Sequence, residues 1–173
     1  MSIDDIECNI FSDDDSNSFT SAYSSDDSFH SSYSPLSLSL DNTFSSFPKN
    51  FNVVHINAQS IPAHYSDLIS SFDNSNIHAI LVSETFLKPS LPSSCFSLPN
   101  FHLIRNDRVG KGGGGVAIYI RNHIPFTILD MSDPQYSESA EHIFIGVLFG
   151  RVKLLLGVFY CPSLHIDYFN SFE

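Results

Sequence analysis

The chain has 173 residues, a length typical of one domain, and its 19 acidic and 8 Lys or Arg residues give a net charge of −11 at pH 7. This acidity excludes strong attraction to nucleic acid by bulk electrostatics, because phosphate contacts require lysine and arginine. It does not exclude a catalytic metal centre, because hard cations bind oxygen ligands and such a site is itself acidic.

The chain start and the cysteines predict an intracellular protein, nuclear or cytoplasmic and not secreted. The start, MSIDDIECNIF, lacks the basic and apolar regions of a secretory signal. No apolar run approaches the ~20 residues needed to span a membrane, so no membrane partner is expected. Three widely spaced cysteines, Cys8, Cys95 and Cys161, favour reduced thiols over a zinc site or a disulfide framework.

Residues 1–47 are predicted to be a disordered acidic leader. They contain nine acids, no Lys or Arg and 15 serines, so they carry −9 of the total charge, and residues 48–173 carry the remaining −2. Such a segment cannot bury enough apolar surface to offset the entropy of ordering. Its interleaved aromatic and leucine residues leave two interpretations open, a solvating tail and a segment that binds a protein partner.

Residues 48–173 are predicted to form one folded domain. Apolar and β-branched runs predict strands, and helical spacing of apolar residues predicts one helix. The predicted strands are 51–57, 77–84, 101–107, 115–122, 142–150 and 151–162, and the predicted helix is 64–74. The order, β-α-β followed mainly by strands, favours a mixed or antiparallel sheet flanked by helices over a doubly wound parallel sheet. The last residues, 165–173, resemble the start of another helix.

The glycine run in VGKGGGGVAIYI, residues 109–120, is predicted to be a hairpin turn. A phosphate-binding loop of the Walker type requires Ser or Thr after its lysine and a helix after that, whereas Lys111 is followed by Gly112 and a strand-forming segment. Glycines supply the positive φ angles that a turn requires.

Three polar residues follow strong apolar strands at the points where the strands end. They are Asn57 in HINAQSI, Glu84 in LVSETFL and Tyr160 in GVFYCPS. Ligands commonly bind where such strand ends and loops converge at one rim of a sheet.

Together with RNDRVGKGGGGVAIYI, these motifs make the chain from about residue 51 onward resemble the endonuclease/exonuclease/phosphatase superfamily. The motifs, in this order, are most similar to the apurinic-type endonuclease domain of LINE-like (non-LTR) retrotransposons. The resemblance implies a four-layer α/β sandwich, of which this chain carries the N-terminal half as a truncated part. It also implies Mg²⁺-dependent cleavage of a phosphodiester in DNA.

The resemblance assigns a role to each strand-end residue. Glu84 matches the metal-binding glutamate, Asn57 matches the active-site asparagine, and Tyr160 matches the tyrosine near the scissile phosphate. The basic residues around the glycine run are candidate DNA contacts, namely Arg105, Arg108 and Lys111.

The family pattern continues with G-D-F-N and S-D-H segments that activate the water, and neither is present in this sequence. The chain is therefore expected to be a catalytically incomplete fragment of a retroelement endonuclease. Two alternatives stay open. One is a different phosphodiesterase or phosphatase of the same superfamily, and the other is a non-enzymatic interaction protein that uses the acidic leader and a relic scaffold.

Overall fold

The computed structural model describes residues 43–45, 47, 49–135 and 140–161. Residues 43–45 are helical, and the elements that follow are seven strands, one α-helix and one 3-10 turn. They are β1 (Val53–Asn57), α1 (Ile61–Phe72), β2 (Ala79–Ser83), the 3-10 turn (Ser93–Phe96), β3 (Phe101–Asn106), β4 (Val116–Arg121), β5 (Phe126–Met131), β6 (Glu141–Phe149) and β7 (Val152–Tyr160).

The first sheet has four strands in the order β1-β2-β4-β3. β1 and β2 are parallel, with Asn57 opposite Ser83, and α1 connects them. β4 is antiparallel to β2 and to β3, and residues 107–115 join β3 to β4. The mixed pairing and the glycine hairpin predicted from the sequence are therefore confirmed.

The second sheet has three antiparallel strands in the order β5-β6-β7. β6 and β7 are joined by Gly150 and Arg151, with Phe149 opposite Val152. Gly150 has a φ of 61°, a value that glycine adopts without steric cost, and this confirms the tight turn predicted there. β5 was not predicted from the sequence.

Helix α1 begins three residues before its predicted start because of a local capping contact. The side chain of Ser60 accepts a hydrogen bond from the backbone N–H of Ala63 at 3.3 Å, and Pro62 occupies the first turn, where its missing N–H costs nothing. The helix buries Ile61, Leu68 and Phe72 against the first sheet.

Two apolar clusters lie on opposite faces of the first sheet. One joins α1 and the loop around Phe96 to the sheet residues Ile80, Val82 and Tyr119. The other fills the space between the two sheets, where Ile118 and Ile120 of β4 meet inward residues of β6 such as Ile143 and Ile145. The sheets are therefore packed face to face.

The expectation of a truncated four-layer α/β sandwich is wrong. Strands account for 42% and helices for 17% of the structure, in two sheets with few helices. The physical reason is visible in the described residues, where only α1 combines helical apolar spacing with a helix cap. The outward face of the second sheet carries exposed apolar side chains, among them Leu129, Leu155 and Phe159, and no described helix covers it.

Several predictions fall outside the described residues or need comment. The acidic leader, except for 43–45 and 47, and the predicted helix at 165–173 lie outside them. Phe44, within the predicted leader, packs against the first apolar cluster.

Cys95 is disulfide-bonded, so the expectation of reduced thiols is wrong for this residue. No helix in the described part of the chain is long and apolar enough to cross a membrane.

Candidate active site

Asn57, Glu84 and Tyr160 come together at one end of the two sheets. The side-chain amide of Asn57 donates a hydrogen bond from Nδ2 to Oε1 of Glu84 at 3.0 Å. The carboxylate of Glu84 also lies close enough to the phenol of Tyr160 to raise the pKa of that phenol. The structure thus brings all three residues together around one carboxylate.

The strand arrangement explains why these residues meet. β1 and β2 are parallel, so the carboxyl ends that carry Asn57 and Glu84 lie at the same edge of the first sheet. β7 belongs to the second sheet but lies against β2, and Tyr160 is its last residue. The site is therefore built from both sheets.

The backbone at this edge adopts conformations that are unusual for residues other than glycine. Gln59, Ser60, Glu84 and Phe86 have φ angles of 45°, 103°, 53° and 53°, and the remaining positive-φ residue of this kind among the described residues is Asn100. Each such conformation costs about 1–3 kcal/mol and persists only where the surroundings enforce it. Strain of this kind clusters at functional sites, so its concentration after β1 and β2 supports the assignment of a site here.

Backbone hydrogen bonds beyond the strand ends hold this conformation. The N–H of Ser60 donates to the carbonyl of Glu84 at 3.0 Å, and the N–H of Ile61 donates to Thr85 at 2.8 Å. On the other side, the N–H groups of Thr85 and Phe86 donate to the carbonyls of Gly115 and Gly114 at 3.1 and 2.9 Å. The segment that carries Glu84 is therefore fixed between the start of α1 and the glycine run.

The last glycines of the run make room for a buried side chain. Gly114 has a φ of 67°, and a Cβ there would overlap the guanidinium of Arg108. Gly115 has a φ of 81°, and a Cβ there would lie 2.5 Å from the hydroxyl oxygen of Thr85. Gly112 differs from both, because a Cβ there would meet nothing within 4 Å. The run thus combines a positive-φ turn with close packing against Arg108 and Thr85.

Arg108 and Glu141 form a buried ion pair beside the site. Nε of Arg108 donates to Oε1 of Glu141, and the side chains are only 5% and 12% exposed. The other oxygen of Glu141 accepts the N–H of Gly115 at 2.7 Å. The guanidinium carbon of Arg108 lies 5.7 Å from the ring centroid of Tyr160, within the range of a cation–π contact.

Two of the three predicted DNA contacts have extensive partners within the protein. Arg105 is paired with Asp107, and it also donates to the carbonyls of Lys88 at 2.7 Å and Leu91 at 2.9 Å. Arg108 is paired with Glu141 as described above. Lys111 is exposed on the glycine loop.

The environment of Tyr160 favours its neutral form. Burial is the largest cause that raises the pKa of the phenol, followed by the neighbouring carboxylate of Glu84. The positive charge of Arg108 acts in the opposite direction. At neutral pH Tyr160 is therefore a protonated hydroxyl that can donate a hydrogen bond to an anionic oxygen.

The carboxylate of Glu84 has the chemistry of a Mg²⁺ ligand, but it supplies only one of the ligands that the ion requires. Mg²⁺ is commonly held by one or two carboxylates, several waters and substrate phosphates. Oδ1 of Asn57 accepts the N–H of Gln59 at 3.1 Å, so this asparagine orients Glu84 through its amide nitrogen. Within the described ranges, no three His, Cys, Asp or Glu side chains form a group that could hold a metal ion.

Glu141 is a further candidate in the sequence, because it stands just before HIFIGV and could also face the site. The residue stands opposite Tyr160 in the β6–β7 register, at the first position of β6. The sequence signal is an acid at the start of an alternating inward-facing strand.

The comparisons with known proteins do not assign a family. No protein-family model and no curated protein matches this chain.

Proposed function

We propose that residues 48–173 are a Mg²⁺-dependent DNA endonuclease-type domain of the endonuclease/exonuclease/phosphatase superfamily, derived from a retroelement. One observation carries the proposal, namely that the carboxylate of Glu84 accepts a hydrogen bond from Asn57 and lies beside the phenol of Tyr160, whose pKa it raises. The motif resemblance named these three residues, and they meet although they come from three different strand ends.

Each residue would have a distinct part in binding a phosphodiester. Glu84 would hold Mg²⁺, and Asn57 would keep the carboxylate in position through its 3.0 Å hydrogen bond. Tyr160 would donate its hydroxyl to a phosphate oxygen, because the raised pKa keeps the phenol protonated. When bound, Mg²⁺ polarises the phosphoryl oxygen and stabilises developing charge.

We expect this chain to bind DNA but to cleave it poorly. The described residues supply no aspartate or histidine beside Glu84 in a metal-binding group, and Asp107 is engaged by Arg105. The residues that would activate water are thus missing from the described part of the site. We therefore expect little nicking of supercoiled plasmid, and robust nicking that Glu84→Ala abolishes would contradict this expectation.

The test is the dependence of DNA affinity on Mg²⁺, measured with the full chain and a short fluorescent duplex. Wild type should bind more tightly as Mg²⁺ is added, and Glu84→Gln should lose that increase. Asp73→Asn is the matched control, because it removes a carboxylate at the end of α1, beside the loop that leads into β2. An unchanged Mg²⁺ response in Glu84→Gln would refute the proposed metal site.

A further inference from the structure

A groove lies between the loop that follows Glu84 and the glycine loop. One wall is residues 86–90 and the other is residues 108–113, and the space between them has a volume of about 460 Å³. The charged side chains that line it are all basic, namely Lys88, Arg108 and Lys111. Arg108 is paired with Glu141, so the two exposed lysines make this groove locally positive in a chain whose net charge is −11.

Both walls are fixed by contacts that the strands do not supply. Arg105 donates to the carbonyl of Lys88 at 2.7 Å and is itself paired with Asp107, so it fastens the first wall to the end of β3. The N–H of Val109 donates to the carbonyl of Pro134 at 2.8 Å and fastens the second wall. A groove that is held open in advance loses little conformational entropy when a ligand enters.

The two lysines stand on opposite walls. Lys88 and Lys111 are both exposed, one on each loop. Gly112, next to Lys111, is exposed and has open space around it, so a ligand can approach the backbone closely. Lysine binds phosphate as a compact point charge, without the fixed geometry that arginine requires.

The groove lies next to the candidate active site. Phe86 lines the groove and is two residues from Glu84. Arg108 lines it as well and lies over the ring of Tyr160. A strand with one phosphate bound beside Glu84 and Tyr160 would therefore have a neighbouring phosphate near this groove.

We propose that this groove binds the phosphodiester backbone of a nucleic-acid strand next to the phosphate held at Glu84, with Lys88 and Lys111 each contacting a phosphate. The inference rests on the proposed function, because that function supplies the position of the phosphate at Glu84. It adds Lys88 to the binding residues, and it assigns Arg105 the role of holding the wall that carries Lys88.

The test is the salt dependence of binding by the full chain in EDTA, so that no metal contributes. Fluorescence anisotropy is measured with labelled duplex DNA, single-stranded DNA and RNA of the same length, between about 50 and 200 mM salt. Two double variants are compared with wild type. One combines Lys88→Ala with Lys111→Ala, and the other combines Lys88→Gln with Lys111→Gln. The matched control is Lys153→Ala, because Lys153 lies near the start of β7, at the end of the strand opposite Tyr160.

Each lysine that contacts a phosphate of duplex DNA contributes about 0.9 to the slope of log affinity against log salt. Both double variants should therefore bind more weakly than wild type, with a slope smaller by about 1.8 for the duplex. Lys153→Ala should leave the slope unchanged. The three nucleic acids identify which strand type the groove prefers.

Two results would contradict the proposal that this groove binds a phosphodiester backbone. One is a wild-type chain that binds none of the three nucleic acids at low salt, and the other is a wild-type slope in both double variants. The Glu84→Gln variant separates this inference from the proposed metal site. In EDTA, Glu84→Gln should show the same slope of log affinity against log salt as wild type. A missing increase of DNA affinity with Mg²⁺ would therefore contradict the metal site alone, and an unchanged slope in the lysine variants would contradict the groove alone.

Discussion

The amide of Asn57 and the carboxylate of Glu84 are 3.0 Å apart, although 27 residues separate them in the chain. Their contact depends on the parallel pairing of β1 and β2, which sets Asn57 opposite Ser83 and brings both strand ends to one edge. Glu84 itself has a φ of 53°, so its side chain projects from a strained backbone that neighbouring hydrogen bonds hold in place. The carboxylate is therefore oriented before any ligand arrives.

Replacing Asn57 with alanine should weaken metal binding at Glu84. The amide orients the carboxylate, and loss of such a partner typically lowers metal affinity about 10- to 100-fold. Titration with Mn²⁺ as a probe for Mg²⁺, followed by electron paramagnetic resonance, measures the change. Asn122→Ala is the control, because Asn122 is exposed and lies just after β4, at the end opposite the glycine run. Equal Mn²⁺ affinity in Asn57→Ala and wild type would show that Asn57 does not orient the ligand.

Replacing Gly114 with alanine should destabilise the domain, whereas the same change at Gly112 should not. The new Cβ at Gly114 would overlap the buried guanidinium of Arg108, and the φ of 67° is unfavourable for alanine. Left-handed strain and overpacking together cost on the order of 2–4 kcal/mol. Chemical denaturation measures the free energy of unfolding. Equal stability of the Gly112→Ala and Gly114→Ala variants would contradict the packing described here.

Replacing Glu141 with alanine should cost more than replacing Asp130 with asparagine. Glu141 is the carboxylate partner of Arg108 in a pair whose side chains are 5% and 12% exposed. Breaking a buried pair by removal of one partner costs about 3–5 kcal/mol. Asp130 also has a side-chain partner, Nε2 of His142 at 2.9 Å, but the Asp130 side chain is 67% exposed, and exposed pairs contribute about 0–1 kcal/mol. Denaturant unfolding of both variants tests the difference, and a loss below about 1 kcal/mol in Glu141→Ala would contradict a buried pair.

Stability should fall as the pH rises above about 10, the ordinary pKa of tyrosine. Burial raises the pKa values of Tyr119, Tyr160 and Tyr65 in the folded protein. Above the unfolded pKa, the unfolded chain loses these protons while the folded chain keeps them, so the free energy of unfolding decreases. Tyr119→Phe should make this decrease shallower, because it removes the most deeply buried of these phenols. Denaturant unfolding at about pH 9 and about pH 11 measures the decrease in the free energy of unfolding. An equal decrease in Tyr119→Phe and wild type would contradict a contribution from the Tyr119 phenol.

Much of the candidate site could be predicted because its residues follow clear apolar strands. FNVVHIN and IHAILVSE end in Asn57 and Glu84, and parallel pairing brings these ends together. The glycine hairpin was predictable for the same local reasons, since a strand-forming segment follows the glycines directly. The strand ends and the hairpin depend on residues that are neighbours along the chain, whereas the pairing of β1 with β2 joins two separate segments.

Other features depend on contacts between distant parts of the chain. The Arg108–Glu141 pair joins the loop after β3 to the first residue of β6 in the second sheet, and no local pattern sets the position of one sheet against the other. β5 was not predicted because FTILDM places mostly exposed residues on an edge strand with a bulge, so its alternation is weak. The four-layer architecture was wrong because it came from the resemblance, while the described residues contain a single segment with a capped, amphipathic helical pattern.

The central claim is that Asn57, Glu84 and Tyr160 form one metal and phosphodiester site. The most direct measurement is paramagnetic broadening of amide NMR signals by Mn²⁺ in the full chain, with Glu84→Gln and Asp73→Asn for comparison. We expect broadening centred on residues 57–60, 84–86 and 160–161 in wild type and Asp73→Asn, and its loss in Glu84→Gln. Broadening that is centred elsewhere, or that persists unchanged in Glu84→Gln, would contradict the claim.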